Sequence, residues 1–149
     1  MRKIVLRDNP CLCIKLRRAA HTLTKLYDEA FSPLNLTTSQ FSLLNDIQQL
    51  RSCNKTELAR YAGLDRTTII RNLSVLREKG FIEDGPEDDR KNGLVRLTDA
   101  GDSVLKEGLA CWKKAQAEVR SAIGPAKLQI LKEIFSDIES LNAEATERL

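Results

Sequence analysis

The sequence predicts a mainly α-helical chain carrying one small β-hairpin. Three observations lead there. Apolar residues recur at helical spacing in six segments, and most of these are bounded by a capping residue or a breaker. One interval, Phe81 to Leu97, has a different texture: two short β-rich runs around a polar tip. The 149 residues suit one domain, or two small lobes sharing a core.

Asn9-Pro10 opens the first helix, with Asn9 as N-cap and Pro10 at the first helical position. Leu12, Leu16, Ala19, Leu23, Leu26, Tyr27 and Ala30 follow on one face. Ser32-Pro33 and Asn35 break the pattern. Thr37 and Gln40 have the spacing of a capping box for a second helix, with Phe41, Leu44, Ile47 and Leu50 on its apolar side. Asn54 and Glu57 repeat that signal for a short third helix through Leu58, Ala59 and Ala62, which Gly63 ends. Asp65 caps a fourth helix that buries Ile69, Leu73 and Leu76, and Lys79-Gly80 stops it.

Phe81-Ile82 and Leu94–Leu97 are the expected strands, and Glu83–Gly93 is a polar hairpin with Arg90 and Lys91 near its tip. Thr98 caps a fifth helix with Val104, Leu105, Leu109, Trp112, Val119 and Ile123 in register. Gly124-Pro125 turns the chain into a sixth helix through Leu128, Leu131, Ile134, Phe135, Ile138 and Leu141. The outer helices have more apolar face than one chain can cover, which favours a homodimer. The expected organisation is a single domain over 1–149. It comprises a winged helix-turn-helix lobe at 37–98 and a helical dimerisation lobe at 9–31 and 99–149.

Composition narrows the function. Apolar residues are 42%, charged residues 30% and net charge +3, an ordinary soluble balance that excludes collagen-like and disordered classes. The charge is unevenly placed: residues 1–26 hold seven bases and one acid, and Arg66–Arg77 holds three arginines and no acid. A basic stripe on a mild background suits phosphate contact, although a solvated helix face would look the same. No membrane span and no signal peptide is recognisable, so a cytoplasmic location is expected. The four cysteines have no zinc-site spacing. His21, the only histidine, has no second ligand or catalytic partner in the pattern. No metal, cofactor or enzymatic activity is expected.

The third and fourth helices, joined by Gly63-Leu64-Asp65, have the lengths of a helix-turn-helix whose second member enters the DNA major groove by its N-terminal end. Arg66 and Arg71 can each donate a pair of hydrogen bonds to guanine. Thr67 can reach a base edge or a phosphate, and Ile70 can meet a thymine methyl. A basic hairpin tip can reach the minor groove. The plainer alternatives are an amphipathic helix pair and a surface loop.

Three runs carry a family resemblance. They are Leu58-Ala59 with Ala62-Gly63-Leu64-Asp65-Arg66-Thr67-Thr68; Leu76 with Lys79-Gly80-Phe81-Ile82; and Asp89-Arg90-Lys91 with Val95, Leu97, Thr98 and Gly101. Together they resemble the MarR family of bacterial transcription regulators over most of the chain. The resemblance implies a homodimer held by the first, fifth and sixth helices. It also implies binding to palindromic double-stranded DNA, usually as a repressor, and release by a small lipophilic effector or by oxidation. Its DNA-facing residues would be Arg66, Thr67, Thr68, Ile70, Arg71, Arg90 and Lys91. Lys91 stands where the family has a second arginine, so either Arg90 or Lys91 could be the minor-groove residue.

Cys11 and Cys13 fall at the expected start of the first helix, where unpaired N–H groups, Lys15 and Arg17 would suit a reactive thiol. At helical spacing the two point about 200° apart, so they would not pair with each other. In the family's organic-hydroperoxide-sensing branch, Cys13 and Tyr27 correspond to a reactive cysteine and a tyrosine that hydrogen-bonds it. That branch's second tyrosine is Thr38 here. The alternative is that both cysteines are small interface residues. Cys53 and Cys111 read as packing positions, with a resolving-thiol role as the other possibility. Trp112 reads as core or interface.

Overall fold

The computed structural model describes residues 10–85 and 93–146. Asn9, Arg90 and Lys91 therefore lie outside the described residues. The order is α1 (Leu12–Phe31), a 3-10 turn (Ser32–Leu34), α2 (Thr38–Leu50), α3 (Lys55–Ala62), α4 (Arg66–Glu78), β1 (Ile82–Asp84), β2 (Val95–Leu97), α5 (Asp99–Ile123) and α6 (Pro125–Thr146). The chain forms two compact units, 1–112 and 113–149, with the division inside α5. No helix among the described residues is long and apolar enough to cross a membrane.

Most elements start where the sequence places a cap. Thr37 and Gln40 exchange side chain-to-backbone hydrogen bonds, both at 3.3 Å, at the start of α2. Asn54 and Glu57 do the same at 2.9 and 3.0 Å for α3. Gly63 (φ +63°) and Gly80 (φ +73°) end α3 and α4 in the left-handed region. After α4, Phe81 N donates to the Leu76 carbonyl and Gly80 N to that of Arg77, which closes the helix end.

The first helix starts later than the sequence pattern predicts. Cys11 is extended and is itself the N-cap, and its carbonyl accepts from Lys15 N at 3.1 Å. Leu12, the first residue of the helix, is 73% exposed, so the helix begins without a core contact at that position.

In the first unit, a single core joins α1 to the hairpin. Phe31, Leu43, Leu44, Ile47, Leu58, Ile69, Leu73, Leu76 and Leu105 are all fully buried within it. The hairpin is antiparallel with Ile82 opposite Leu97, Glu83 opposite Arg96 and Asp84 opposite Val95. Its first strand runs through Glu83 and Asp84, two residues that the sequence pattern assigns to the loop. Cross-strand pairing explains the difference, because Arg96 meets Glu83 at 2.7 Å. Cys53 adds a one-residue bridge beside Val95, with backbone bonds of 2.9 and 3.3 Å, and its side chain is buried.

The hairpin is locked to α5 by Thr98. Its hydroxyl donates to the Gly80 carbonyl at 2.6 Å and accepts from Gly101 N at 3.0 Å, while its own N–H donates to the Phe81 carbonyl at 3.1 Å. Gly101 makes this approach possible: a Cβ there would lie 2.0 Å from the Phe81 carbonyl oxygen. In the second unit, Gly124 (φ +84°) ends α5, and its carbonyl accepts from Leu128 N in the first turn of α6.

Candidate nucleic-acid interface and an apolar pocket

Helix α4 is held from behind by Ile69, Leu73 and Leu76. That orientation leaves Arg66, Thr67, Ile70 and Arg71 exposed on the opposite, N-terminal face, with Ile70 44% exposed. Neither arginine makes an ion pair with a described residue. Thr68 is half-buried, and its hydroxyl donates to the Asp65 carboxylate at 2.6 Å while its N–H donates to the same group at 2.9 Å. Thr68 therefore fixes where the helix begins.

The Thr68 hydroxyl, and then its N–H, holds the Asp65 carboxyl below the usual carboxylate range. A lowered value means that the cap contributes stability above the unfolded-state pKa and loses it as pH falls through the folded-state value. The difference in melting temperature between the wild type and Asp65→Ala should thus be full above about pH 5 and should close as pH drops below about 4. A difference that persists in acid would show that the carboxylate charge is irrelevant to the cap.

Among the described residues, three further cations at the hairpin and at the end of α4 are engaged. Arg77 pairs with Asp84 at 2.8 Å and Arg96 with Glu83. Lys79 turns inward, where its Nζ donates to the Gln40 Oε1 at 3.1 Å and to the Asn35 carbonyl. The sequence pattern reads Lys79 only as a helix-stop residue. In the structure it ties the end of α4 to the start of α2, a long-range contact that no local spacing announces.

A pocket of about 390 Å³ opens on the other side of α2. Phe31 and Phe41, stacked with ring centroids 4.4 Å apart, form its base, and Leu109 and Trp112 of α5 form one wall. Tyr27, Thr38, Ser42 and Asn45 complete the lining. Gly108 lets α5 approach, since a Cβ there would stand 2.7 Å from the Phe41 ring. Trp112, 39% exposed, is thus a pocket wall and not a core residue. Burial pushes the Tyr27 hydroxyl upward in pKa.

The thiols are dispersed. Cys11 and Cys13 are exposed at the start of α1. Tyr27 lies fourteen residues beyond Cys13 on the same helix, about 21 Å along its axis, so the two do not meet within one chain. Cys53 is buried, and burial together with the charges of Glu57 and Asp46 pushes its thiol up to about 11. It is a packing residue. Cys111 is partly buried against the core of the first unit. Among the described residues, no group of three or more His, Cys, Asp or Glu side chains could hold a metal ion.

Residues 36–101 match the family model of a winged helix DNA-binding domain. The chain is 32% identical to the transcriptional regulator MosR of M. tuberculosis. That match covers 89% of this chain and 96% of the other, with a TM-score of 0.76. MosR in complex with DNA matches at 33% identity and a TM-score of 0.74, over 89% and 97% of the two chains. The transcriptional repressor CouR bound to p-coumaroyl-CoA has the same fold, at 21% identity and a TM-score of 0.78, over 87% and 92%.

Proposed function

The chain belongs to the MarR family of winged helix-turn-helix transcription regulators, and from that premise we propose that it is a homodimeric, sequence-specific repressor released from DNA by a small lipophilic ligand. The observation that carries this reading is the exposed N-terminal face of α4. Arg66, Thr67, Ile70 and Arg71 stand there together, presented by a buried opposite face. That residue set can read base edges in a major groove. The wing pair Arg90 and Lys91 adds contacts to the minor groove. The 37–98 lobe is the DNA-binding part, and α1, α5 and α6 supply the dimer contacts. MosR, crystallised with DNA, is the relative on which the DNA partner rests.

Two further features support the finer points. Ile130, Ile134, Phe135, Ile138 and Leu141 of α6 are 41–66% exposed along one stretch of helix, more apolar surface than a monomer usually leaves open. The pocket of Tyr27, Phe31, Phe41 and Trp112 offers the lipophilic site. A redox-switched repressor sensing organic hydroperoxide through Cys13 is the second reading. It rests on the exposure of Cys13 and needs Tyr27 to come from a second copy of the chain.

Selection of bound sequences from random DNA tests the main reading, with a palindromic motif as the expected result. On that motif, Arg71→Ala should lose about 1–3 kcal/mol of binding free energy, and less on random DNA. Equal losses on both would show that Arg71 contacts phosphate alone.

A further inference from the structure

Gln40 is 7% exposed, the one polar side chain among the described residues to be buried. Its Oε1 accepts from two sides, from Thr37 N at 3.3 Å and from Lys79 Nζ at 3.1 Å, which uses both lone pairs of that oxygen. The Lys79 ammonium also donates to the Asn35 carbonyl. Burying an amide is unfavourable where a leucine would not be. What the amide adds is direction: a hydrogen bond fixes an orientation, whereas apolar surfaces hold two helices together without fixing their tilt.

The two acceptors of Lys79 are built onto the end of α1. Asn35 is left-handed (φ +52°), and its N–H donates to the Ser32 carbonyl at 3.0 Å. Leu36 N donates to the carbonyl of Phe31, the last residue of α1, at 3.4 Å. The first turn of α2 is fastened to α1 as well, since the Thr38 hydroxyl and N–H donate to the Asp28 carboxylate at 2.6 and 2.7 Å. Lys79, at the C-cap of α4, thus joins the recognition helix to the α1–α2 corner. The Asp65 and Thr98 ties at the two ends of α4 run to α4 itself and to the hairpin, inside the winged lobe.

Small tilts matter here. Arg66 lies thirteen residues from Lys79, about 20 Å along the helix axis. A tilt of about 10° at the Lys79 end would carry Arg66 by about 3.5 Å, close to one base-pair step. In a two-fold dimer each subunit contributes the same error.

We infer that Lys79 is a specificity-determining positioning residue: by gripping Gln40 and Asn35 it fixes the pose of α4 against α1, and so sets which half-site spacing the protein accepts. The inference rests on the reading of the chain as a homodimer on palindromic DNA. It assigns Lys79 no contact with DNA; its effect passes through the direction in which Arg66 and Arg71 are presented.

The experiment uses the full chain and duplexes carrying the selected palindrome with its half-sites at the natural spacing, one base pair closer and one base pair farther apart. Each step displaces a half-site by about 3.4 Å and turns it by about 35°. Wild type is expected to lose at least about tenfold in affinity at either altered spacing. Lys79→Met, of similar length but without the ammonium, should cut that penalty to about threefold or less. Gln40→Met should do the same from the other side of the contact, and the double variant should add nothing to either. Gln40→Glu keeps an oxygen for both Lys79 and Thr37 N and should keep the wild-type penalty. Ile47→Val, a buried change away from the tie, lowers stability alone and is expected to leave the penalty intact. Melting curves establish that each variant is folded. The inference is overturned if Lys79→Met or Gln40→Met, folded, retains the full penalty, or if Ile47→Val removes it as well. A wild type that binds an isolated half-site as tightly as the palindrome marks a different failure: the dimer reading itself falls, and the spacing role falls with it.

Discussion

Replacing Gly101 by alanine is expected to lower the stability of the chain by about 2–3 kcal/mol, even though alanine favours a helix over glycine by about 1 kcal/mol. The new methyl group would stand 2.0 Å from the Phe81 carbonyl oxygen. That oxygen belongs to the backbone and also accepts from Thr98 N, so it cannot swing aside as a side chain could. Either α5 shifts away from the start of β1 or the Thr98 lock on Gly80 and Phe81 breaks. Urea denaturation measures the loss, with Ser103→Ala, at an exposed position of the same helix, as the control. Operator affinity should fall with it, because the same junction sets the end of α4 and the base of the wing. An unchanged midpoint for Gly101→Ala would mean that the two segments are not held as close as the structure places them.

The paired substitution Ile134→Glu with Ile138→Glu should dissociate the proposed dimer. Both side chains are exposed, at 42% and 41%, so the change costs the isolated chain little. Placed in an apolar contact, each carboxylate costs about 2 kcal/mol, and the two chains together carry four of them, which raises the dimer dissociation constant by about six orders of magnitude. Sedimentation should move from about twice the 16.8 kDa chain mass to the single mass at micromolar concentration. Binding to a palindromic site should collapse in parallel, because a monomer engages one half-site. If the variant still sediments as a dimer, α6 is not the interface.

The local parts of this fold were legible in the sequence, because their causes are local. The Thr37 and Gln40 box, the Asn54 and Glu57 box, the Asp65 cap and the Gly63 and Gly80 stops each depend on residues within one helical turn. The buried trio Ile69, Leu73 and Leu76 followed from helical period alone. What escaped depends on distant contacts. Cys53 joins the sheet because Val95, more than forty residues away, lies beside it. Lys79 turns inward because Gln40 and Asn35 are brought to the end of α4. The pocket has no sequence signature, since Trp112 on an apolar stripe reads like any core residue until Phe31, Phe41 and Asn45 are placed around it. The sequence pattern ends β1 at Ile82 because Glu83 and Asp84 have poor strand propensity, which the pairing of Glu83 with Arg96 overrides.

The inward turn of Lys79 and the two hairpin ion pairs alter how this protein meets a polyelectrolyte. Five described cations lie between Arg66 and Leu97. Arg77 and Arg96 are matched by Asp84 and Glu83, and Lys79 is held by Gln40 and Asn35. Of these five, Arg66 and Arg71 are left to displace condensed counterions from a duplex. Each phosphate neutralised contributes about 0.9 to the slope of log K against log salt. On these five residues, the described part of the chain is expected to release fewer ions from DNA than its basic residues would suggest, and its binding is expected to persist further into rising ionic strength.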